Sequence, residues 1–395
     1  MFPESTWPRA AGMKRSTDRI LTTHVGSLPR PPSVVDYLLR KERGQPFDAA
    51  GFSRTMRQGV EDIVRRQAEI GLAVVSDGET SKIGYSTYLH DRYSGFGGEV
   101  GGKIHLDLRD HPEFVSRMQA FTGPRTFKRM QCIAPIELKD GALLESDIAN
   151  FRAALAAVQV TEGFMNAASP GVVSAFLPNA YYPSHEAYIE ALAAALQLEY
   201  EAIAAAGFVL QIDCPDLAMA RHTGFQDLSD KAFLARASFH VEALNHALRN
   251  VPVEQVRFHV CWGNYEGPHD HDIALGKILP AILKVRTRAV LFESANPRHE
   301  HEWAVWRDAR LPDDLVLIPG VLDSCSNYVE HPELVAQRIE RFADMVGRER
   351  VIAGSDCGFG TFAGYSKVDG GIAFKKLKAL VEGAEIASKR LWARR

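Results

Sequence analysis

PSHEAYIEALAAALQLEYEAIAAAGFVLQIDCPD, residues 183–216, decides how this chain folds. Its first part is Ala-rich, opens on Ser184 as an N-cap and closes at Gly207, so it reads as one amphipathic helix. FVLQIDCPD (208–216) is apolar, as long as a buried strand, and ends abruptly in Asp213 and Cys214. A helix, a glycine, a buried strand and a polar strand end form one unit of an α/β protein. The same unit recurs along the chain.

Short apolar runs ending in polar or small residues occur at 19–27, 72–79, 171–179, 208–216, 256–264, 289–296, 315–323 and 350–358. Helical patterns lie between them, at 52–71, 183–207, 228–251 and 331–347. Alternation of this kind predicts a parallel sheet. Eight units in 395 residues predict one α/β domain, a (β/α)8 TIM barrel spanning 19–395, rather than an open doubly wound sheet. No GxGxxG turn follows the first run. Residues 1–18 read as a mobile lead-in. Residues 95–145 break the rhythm, with alternating pieces such as KIHLDL (103–108), and read as an antiparallel rim insertion after the second strand.

Composition narrows the function classes. The net charge of -3 offers no basic field for nucleic acid or an anionic membrane. No apolar run approaches the roughly 20 residues of a membrane span. Five scattered cysteines, Cys132, Cys214, Cys261, Cys325 and Cys357, argue against a disulfide framework and for a cytoplasmic enzyme. Homo-oligomerisation is left open.

In a (β/α)8 barrel the active site lies at the C-terminal strand ends. Those ends here carry His24, Ser27, Asp77, Glu79, Asn179, Asp213, Cys214, His259, Cys261, Glu293, Asp323, Asp356 and Cys357. His259 and Cys261 sit at i and i+2 of one strand, so they share a face. Glu293 ends the next strand and Cys357 the eighth. Two thiolates, an imidazole and a carboxylate suit Zn²⁺ and disfavour Mg²⁺ or Ca²⁺. The plainer reading of H-x-C alone is a buried histidine beside a small apolar thiol. Glu293 and Cys357 tip the balance toward metal. By contrast, His269 and His271, in a Gly/Pro loop, read as capping the following helix or facing solvent, and His299 and His301, at a helix start, as surface residues. Cys132 and Cys325 read as space-fillers, while Cys214 could be either filler or site.

TTHVGSLPR, SDGETSKIGYSTYLHDRYSGF, LQIDCPDLA, FHVCWGN, LFESA and GSDCGFGT, in that order from about residue 20 to 365, resemble the catalytic barrel of the cobalamin-independent methionine synthase family. The resemblance extends to its short members, including the epoxyalkane:coenzyme M transferase type. It implies that His259, Cys261, Glu293 and Cys357 are zinc ligands, the set that the barrel argument picks independently. It further implies alkyl transfer, foremost methyl transfer, to a zinc-activated thiolate, with Glu293 as a ligand that yields to the acceptor sulfur. Homocysteine is the favoured acceptor. Asp213 and Glu79 would take its ammonium, and Ser27 would help with its carboxylate. The alkyl donor could be methyl-folate, methylcorrinoid or an epoxide. A sulfonated acceptor such as coenzyme M would want cations, and Arg30, Lys82 and Arg92 are available. The chain departs from the family at Cys214, where a Glu is usual, and it is too short for the long enzyme's additional N-terminal barrel. Two other readings are an epoxide-opening thiol transferase or lyase, and a demethylase acting on a methyl ether or thioether. A zinc-stabilised scaffold ranks last.

Overall fold

A computed structural model describes residues 12–122, 127–365 and 367–394. Eight parallel strands form the barrel wall: Leu21–Thr22 (β1), Val74–Ser76 (β2), Glu162–Ala168 (β3), Val209–Asp213 (β4), Val256–Val260 (β5), Ala289–Phe292 (β6), Val316–Leu322 (β7) and Ile352–Ser355 (β8). Hydrogen bonding runs β1-β8-β7-β6-β5-β4-β3-β2. Side chains close the ring between β1 and β2. The Ala73 N–H donates to Thr22 Oγ1 (3.1 Å), Thr23 Oγ1 donates to the Val74 carbonyl (3.2 Å), and Ser76 Oγ donates to the Gly26 carbonyl (3.1 Å). Helices return the chain on the outside. The long helices Ala49–Ile70, His185–Ala205, Asp230–Ala247 and Pro332–Val346 lie where the 3.6-residue periodicity predicts them. Gly71 ends the first of these in the left-handed conformation, φ 94°. A (β/α)8 barrel results.

Side chains alternate across each strand, so the barrel interior takes every second residue. Leu21, Val74, Phe164, Val209, Leu291, Val316, Ile318 and Ile352 form a separate apolar cluster inside the ring. Above it sits a polar layer around Arg257, two residues before His259 on the same face. Its guanidinium donates to Gln211 Oε1 (2.9 Å), Thr23 Oγ1 (3.1 Å) and the His24 carbonyl (3.1 Å), and lies 3.6 Å from the Phe164 ring centroid. His24 is fixed between the Gln67 side chain (2.8 Å) and the Gly26 N–H (3.1 Å), and burial lowers its pKa to about 4. It is a neutral structural histidine beneath the mouth.

Three expectations change. The third strand is Glu162–Ala168, not 171–179. Residues Pro170–Phe176 form a short helix, with Ser169 as N-cap accepting from the Val172 N–H (3.0 Å) and Pro170 at the first helical position. The true strand, EGFMNAA, is poor in β-branched residues because helix Ala142–Ala156 packs directly on it. A Cβ on Gly163 would lie 2.6 Å from Leu155 Cδ1. Asn179 therefore ends no strand, and its Oδ1 accepts from the Tyr181 and Tyr182 N–H groups in a turn. The lead-in also changes. Residues 1–11 lie outside the described residues, but 12–18 seal the base of the barrel rather than hanging free. Ser16 is buried and donates to the Val351 carbonyl (2.6 Å), and Met13 packs on the inner cluster. Finally, KIHLDL is no strand. The rim insertion's antiparallel part is Phe96–Gly97 against Gln131–Cys132, while Leu106–Leu108 forms a 3-10 turn and Pro112–Thr122 a helix.

The base carries a pH-sensitive group. Glu162 accepts from the Lys14 N–H (3.2 Å to Oε2), and burial raises its pKa from 4.5 to about 7. A raised folded-state pKa means that its contribution is full below about pH 4.5 and lost as pH climbs through 7. Glu162→Gln is expected to flatten the stability–pH curve over that window, by at most about 3 kcal/mol, measured by denaturant unfolding at several pH values.

Candidate metal centre at the barrel mouth

β4, β5, β6 and β8 deliver the central cluster. Asp213 and His259 are register partners at the ends of β4 and β5. His259 Nδ1 lies 3.5 Å from Asp213 Oδ1, and its Nε2 faces the Asp356 carbonyl (3.1 Å) and Cys357 Sγ (3.8 Å). Cys357 Sγ lies 3.7 Å from Glu293 Oε1. His259, Cys261 and Cys357 each offer a ligand atom, all within 4.8 Å of one another. All four side chains are buried.

The geometry fits a small four-coordinate cation. Bonds of about 2.0–2.3 Å in a tetrahedron place neighbouring ligand atoms about 3.3–3.8 Å apart. The 3.8 Å Cys357–His259 and 3.7 Å Cys357–Glu293 separations match those edges, while Glu293 stands outside the mutual group of three and would draw in on an ion. The electrostatics agree. Burial alone would lower the His259 pKa, yet neighbouring Cys261, then Asp213, push it up to about 9. The surroundings of the His259 ring thus favour positive charge there, although burial pushes the Cys357 thiol up. Asp213 holds the far ring nitrogen, which fixes Nε2 as the inward-facing atom.

Two layers of support hold the ligands. Glu293 accepts from the Trp262 N–H (2.9 Å, Oε1) and Asn296 Nδ2 (2.8 Å, Oε2). The Asp356 carboxylate gathers the N–H groups of Ser294, Ala295 and Asn296 (2.8, 2.9 and 2.9 Å), which fixes the turn carrying Glu293. Close packing there demands glycine. A Cβ on Gly320 would lie 2.0 Å from Asp356 Oδ1, and one on Gly358 2.0 Å from Ser27 Oγ. Ser27 is thereby adjacent to the Cys357 turn.

The SDGET turn after β2 brings in Glu79, a non-glycine residue at φ 52°. Such left-handed strain concentrates at functional sites. Arg30 clamps this turn, donating to the Glu79 carbonyl from Nη2 (2.7 Å) and Nε (3.2 Å) and to the Gly360 carbonyl from Nη1 (2.5 Å). Lys82 Nζ donates to the Asn166 carbonyl (2.7 Å) and sits 4.3 Å from the Tyr88 ring centroid. Arg92 is bound by Glu199 (2.6 Å) and Asp147 (2.5 Å). Burial raises the Glu79 pKa to about 7, with Lys82 opposing and Asp213 adding to the rise. Glu79 Oε2 is buried without a hydrogen-bond partner, as is Asn166 Oδ1. Asn166 Nδ2 donates to Asp213 Oδ2 (2.9 Å), and Gln211 Nε2 to Asp213 Oδ1 (2.9 Å).

A cleft of about 340 Å³ opens beside the cluster, bordered among others by Glu293, Cys357, Asp323, Cys325, Tyr265 and Arg298. Cys325 is a cleft residue rather than a space-filler, whereas buried Cys132 and Cys214 lie in the apolar core. His269 and His299 are buried, not solvent-facing. Asp272 Oδ2 lies 2.9 Å from His269 Nδ1 and 2.9 Å from His299 Nε2, and His299 stacks on Trp262 with centroids 4.1 Å apart. His271 and His301 are exposed. Sequence reasoning passed over Asn166, because its strand was misplaced, and Lys367. Burial lowers the Lys367 pKa to about 8, with Cys325 and Cys357 opposing that shift. Nothing in SKVD signals that placement.

Fold and cluster together define a (β/α)8-barrel protein with a sulfur-, nitrogen- and oxygen-donor centre at the end where such barrels carry their active sites. Residues 146–385 match the family model described as cobalamin-independent synthase, catalytic domain, and the chain belongs to that family. It is 24% identical over 377 residues to a methionine synthase of Thermococcus kodakarensis, covering 94% of each chain. It is 26% identical over 406 residues to a 2-hydroxypropyl-CoM lyase of Xanthobacter autotrophicus, covering 94% of this chain and 96% of that one. Among solved structures, a B12-independent methionine synthase from Shewanella sp. W3-18-1, in complex with selenomethionine, superposes with a TM-score of 0.72 at 19% identity. That match covers 95% of this chain and 99% of the other. Among the described residues, no helix is long and apolar enough to cross a membrane.

Proposed function

We propose that this protein transfers an alkyl group, foremost a methyl, to the sulfur of a small thiol, with Zn²⁺ held by His259, Cys261, Glu293 and Cys357 and homocysteine as the acceptor. The observation that carries the reading is the buried donor cluster opening on a cleft at the catalytic end of the barrel. A structural zinc site would instead be closed and remote from a pocket. When bound, zinc would keep the acceptor sulfur deprotonated near neutral pH, where a free thiol of pKa about 8.5 is mostly protonated. The sulfur–carbon bond then forms as the donor's carbon–leaving-group bond breaks, and the leaving group takes up a proton. Asp213 orients His259. Glu293, which borders the cleft, is the ligand best placed to shift as the thiol enters.

The choice of homocysteine rests on the unpartnered acceptors. An ammonium needs anions or carbonyls, and Glu79 Oε2 and Asn166 Oδ1 are buried and free beside Asp213. A sulfonate needs donors, and Arg30, Lys82 and Arg92 are committed elsewhere. The lyase relative keeps one rival alive, an epoxide-opening thiol transferase. For it, Lys367 near Cys357 would be the cation. Five free thiols fit a reducing cytoplasm.

A thiol screen tests the reading. Homocysteine, coenzyme M and glutathione are each offered with methyl-folate, methylcorrinoid and epoxide donors, and products are identified by mass. Methylated homocysteine is the expected product. Alkylated coenzyme M would move the assignment to the rival, and demethylation of an ether without any thiol would overturn both.

A further inference from the structure

Besides the central cluster, a second group of ligands lies where the rim insertion meets the barrel. His105 and Asp107 come from the insertion after β2, and His222 from the 3-10 turn after β4. Each offers a ligand atom, all within 4.8 Å of one another. Asp107 and His222 are buried, at 3% and 0% exposure. Tyr265, in the loop after β5, ties the group together. Its hydroxyl donates to Asp107 Oδ2 (2.5 Å) and lies 3.3 Å from His222 Nε2.

The hydrogen-bond account of this group does not close. Asp107 Oδ2 accepts from Tyr265 and from the His269 N–H (3.0 Å), but Asp107 Oδ1 has no partner. His105 Nδ1 and His222 Nδ1 also lack a hydrogen bond, although His222 Nδ1 lies 3.1 Å from Asp272 Oδ1. Buried acceptors left bare are costly and rare. The neighbouring trio of His269, Asp272 and His299 is different, because its histidines are partnered on both ring nitrogens: His269 by Asp272 and the Tyr265 carbonyl, His299 by Asp272 and Glu302. Within that trio only Asp272 Oδ1 is left without a hydrogen bond, and it is the atom beside His222 Nδ1.

We propose that His105, Asp107 and His222 form a second metal site, distinct from the thiol-bearing centre, that takes a divalent transition cation such as Zn²⁺ or Fe²⁺. Two imidazoles and a carboxylate favour these ions over Mg²⁺ or Ca²⁺, and the set leaves positions open for water. Asp272 stands beside the His222 ring as a carboxylate that orients a ligating histidine. Burial also lowers the pKa of both His105 and His222, His105 to about 4, which keeps them in the neutral form that binds metal. The ion would clip the insertion to the β4 loop, with Tyr265 of the β5 loop hydrogen-bonded to Asp107. Water is the rival occupant, since it could also bridge these acceptors.

The test uses the full chain, stripped with a chelator and titrated with Co²⁺ alone. Cobalt on thiolates gives an intense near-ultraviolet charge-transfer band, whereas cobalt on imidazole and carboxylate gives only weak visible bands. Two equivalents are expected, one with the intense band and one without. His222→Ala and the gentler Asp107→Asn should each weaken the second equivalent at least tenfold, by roughly the cost of one ligand, and leave the intense band intact. Cys357→Ser should do the reverse, so failure of the thiol centre and failure of this site are read separately. Should His222→Ala lose its far-ultraviolet fold signature, Asp107→Asn decides. Saturation of wild type at one thiolate-bound equivalent, or two equivalents persisting in Asp107→Asn, would overturn the proposal and leave water as the occupant.

Discussion

Replacing Cys357 by serine is expected to strip the protein of stoichiometric zinc at the central site and to lower thiol alkylation at least a hundredfold. Structural zinc sites bind with about 10–16 kcal/mol, so one ligand of four carries about 3 kcal/mol, more than a hundredfold in affinity. The effect should be specific to metal. Serine is close to cysteine in size, and Cys357 packs between Glu293 and His259 rather than in the apolar core. Fold and thermal unfolding of the chelated variant should therefore stay close to those of the chelated wild type. Elemental analysis after dialysis, with circular dichroism as control, checks both halves. Zinc retained at wild-type level in Cys357→Ser would remove this residue from the centre.

The second large effect separates acceptors. Glu79→Gln keeps the shape of the side chain but removes the charge that an ammonium would meet. Truncating one partner of a buried charge pair costs about 3–5 kcal/mol, so the KM for homocysteine should rise a hundredfold or more. Coenzyme M has no ammonium, and its KM should change by less than about threefold. Asp213→Ala should differ, harming both thiols, because both carboxylate oxygens are engaged by Asn166, Gln211 and His259. The pH profile gives an independent reading. The Glu79 carboxyl, raised to about 7, must ionise to receive the ammonium. In wild type, kcat/KM for homocysteine should climb with pH through about 7, and Glu79→Gln should lose that limb. Equal losses for both thiols in Glu79→Gln would end the case for an amino-acid acceptor.

The parts of the fold carried by periodicity were legible beforehand. The helix from His185 and the strand ending in Asp213 lie where a 3.6-residue stripe, a terminal glycine and an apolar run locate them. β3 was not legible, because Gly163 and its alanines answer to a helix packed against them rather than to strand propensity. The metal-type cluster was legible since i, i+2 spacing on β5 and polar ends on β6 and β8 follow from barrel geometry. The surrounding shell was not. Arg30 looked like a ligand for an anion, but its donors go to the Glu79 and Gly360 carbonyls. His269, in a Gly/Pro loop, and His299, at a helix start, read as surface positions, yet Asp272 draws both inward. Pairings between distant loops leave no trace in local sequence.

The central claim is that a thiol acceptor joins a sulfur-bearing metal centre at the barrel mouth. X-ray absorption at the zinc edge tests it most directly, measured with and without homocysteine on Asp107→Asn protein, so that zinc at the second site does not dilute the signal. Two sulfur neighbours, from Cys261 and Cys357, are expected in the free protein and a third when homocysteine is added. A zinc signal without sulfur, or a sulfur count that the thiol leaves unchanged, would contradict it.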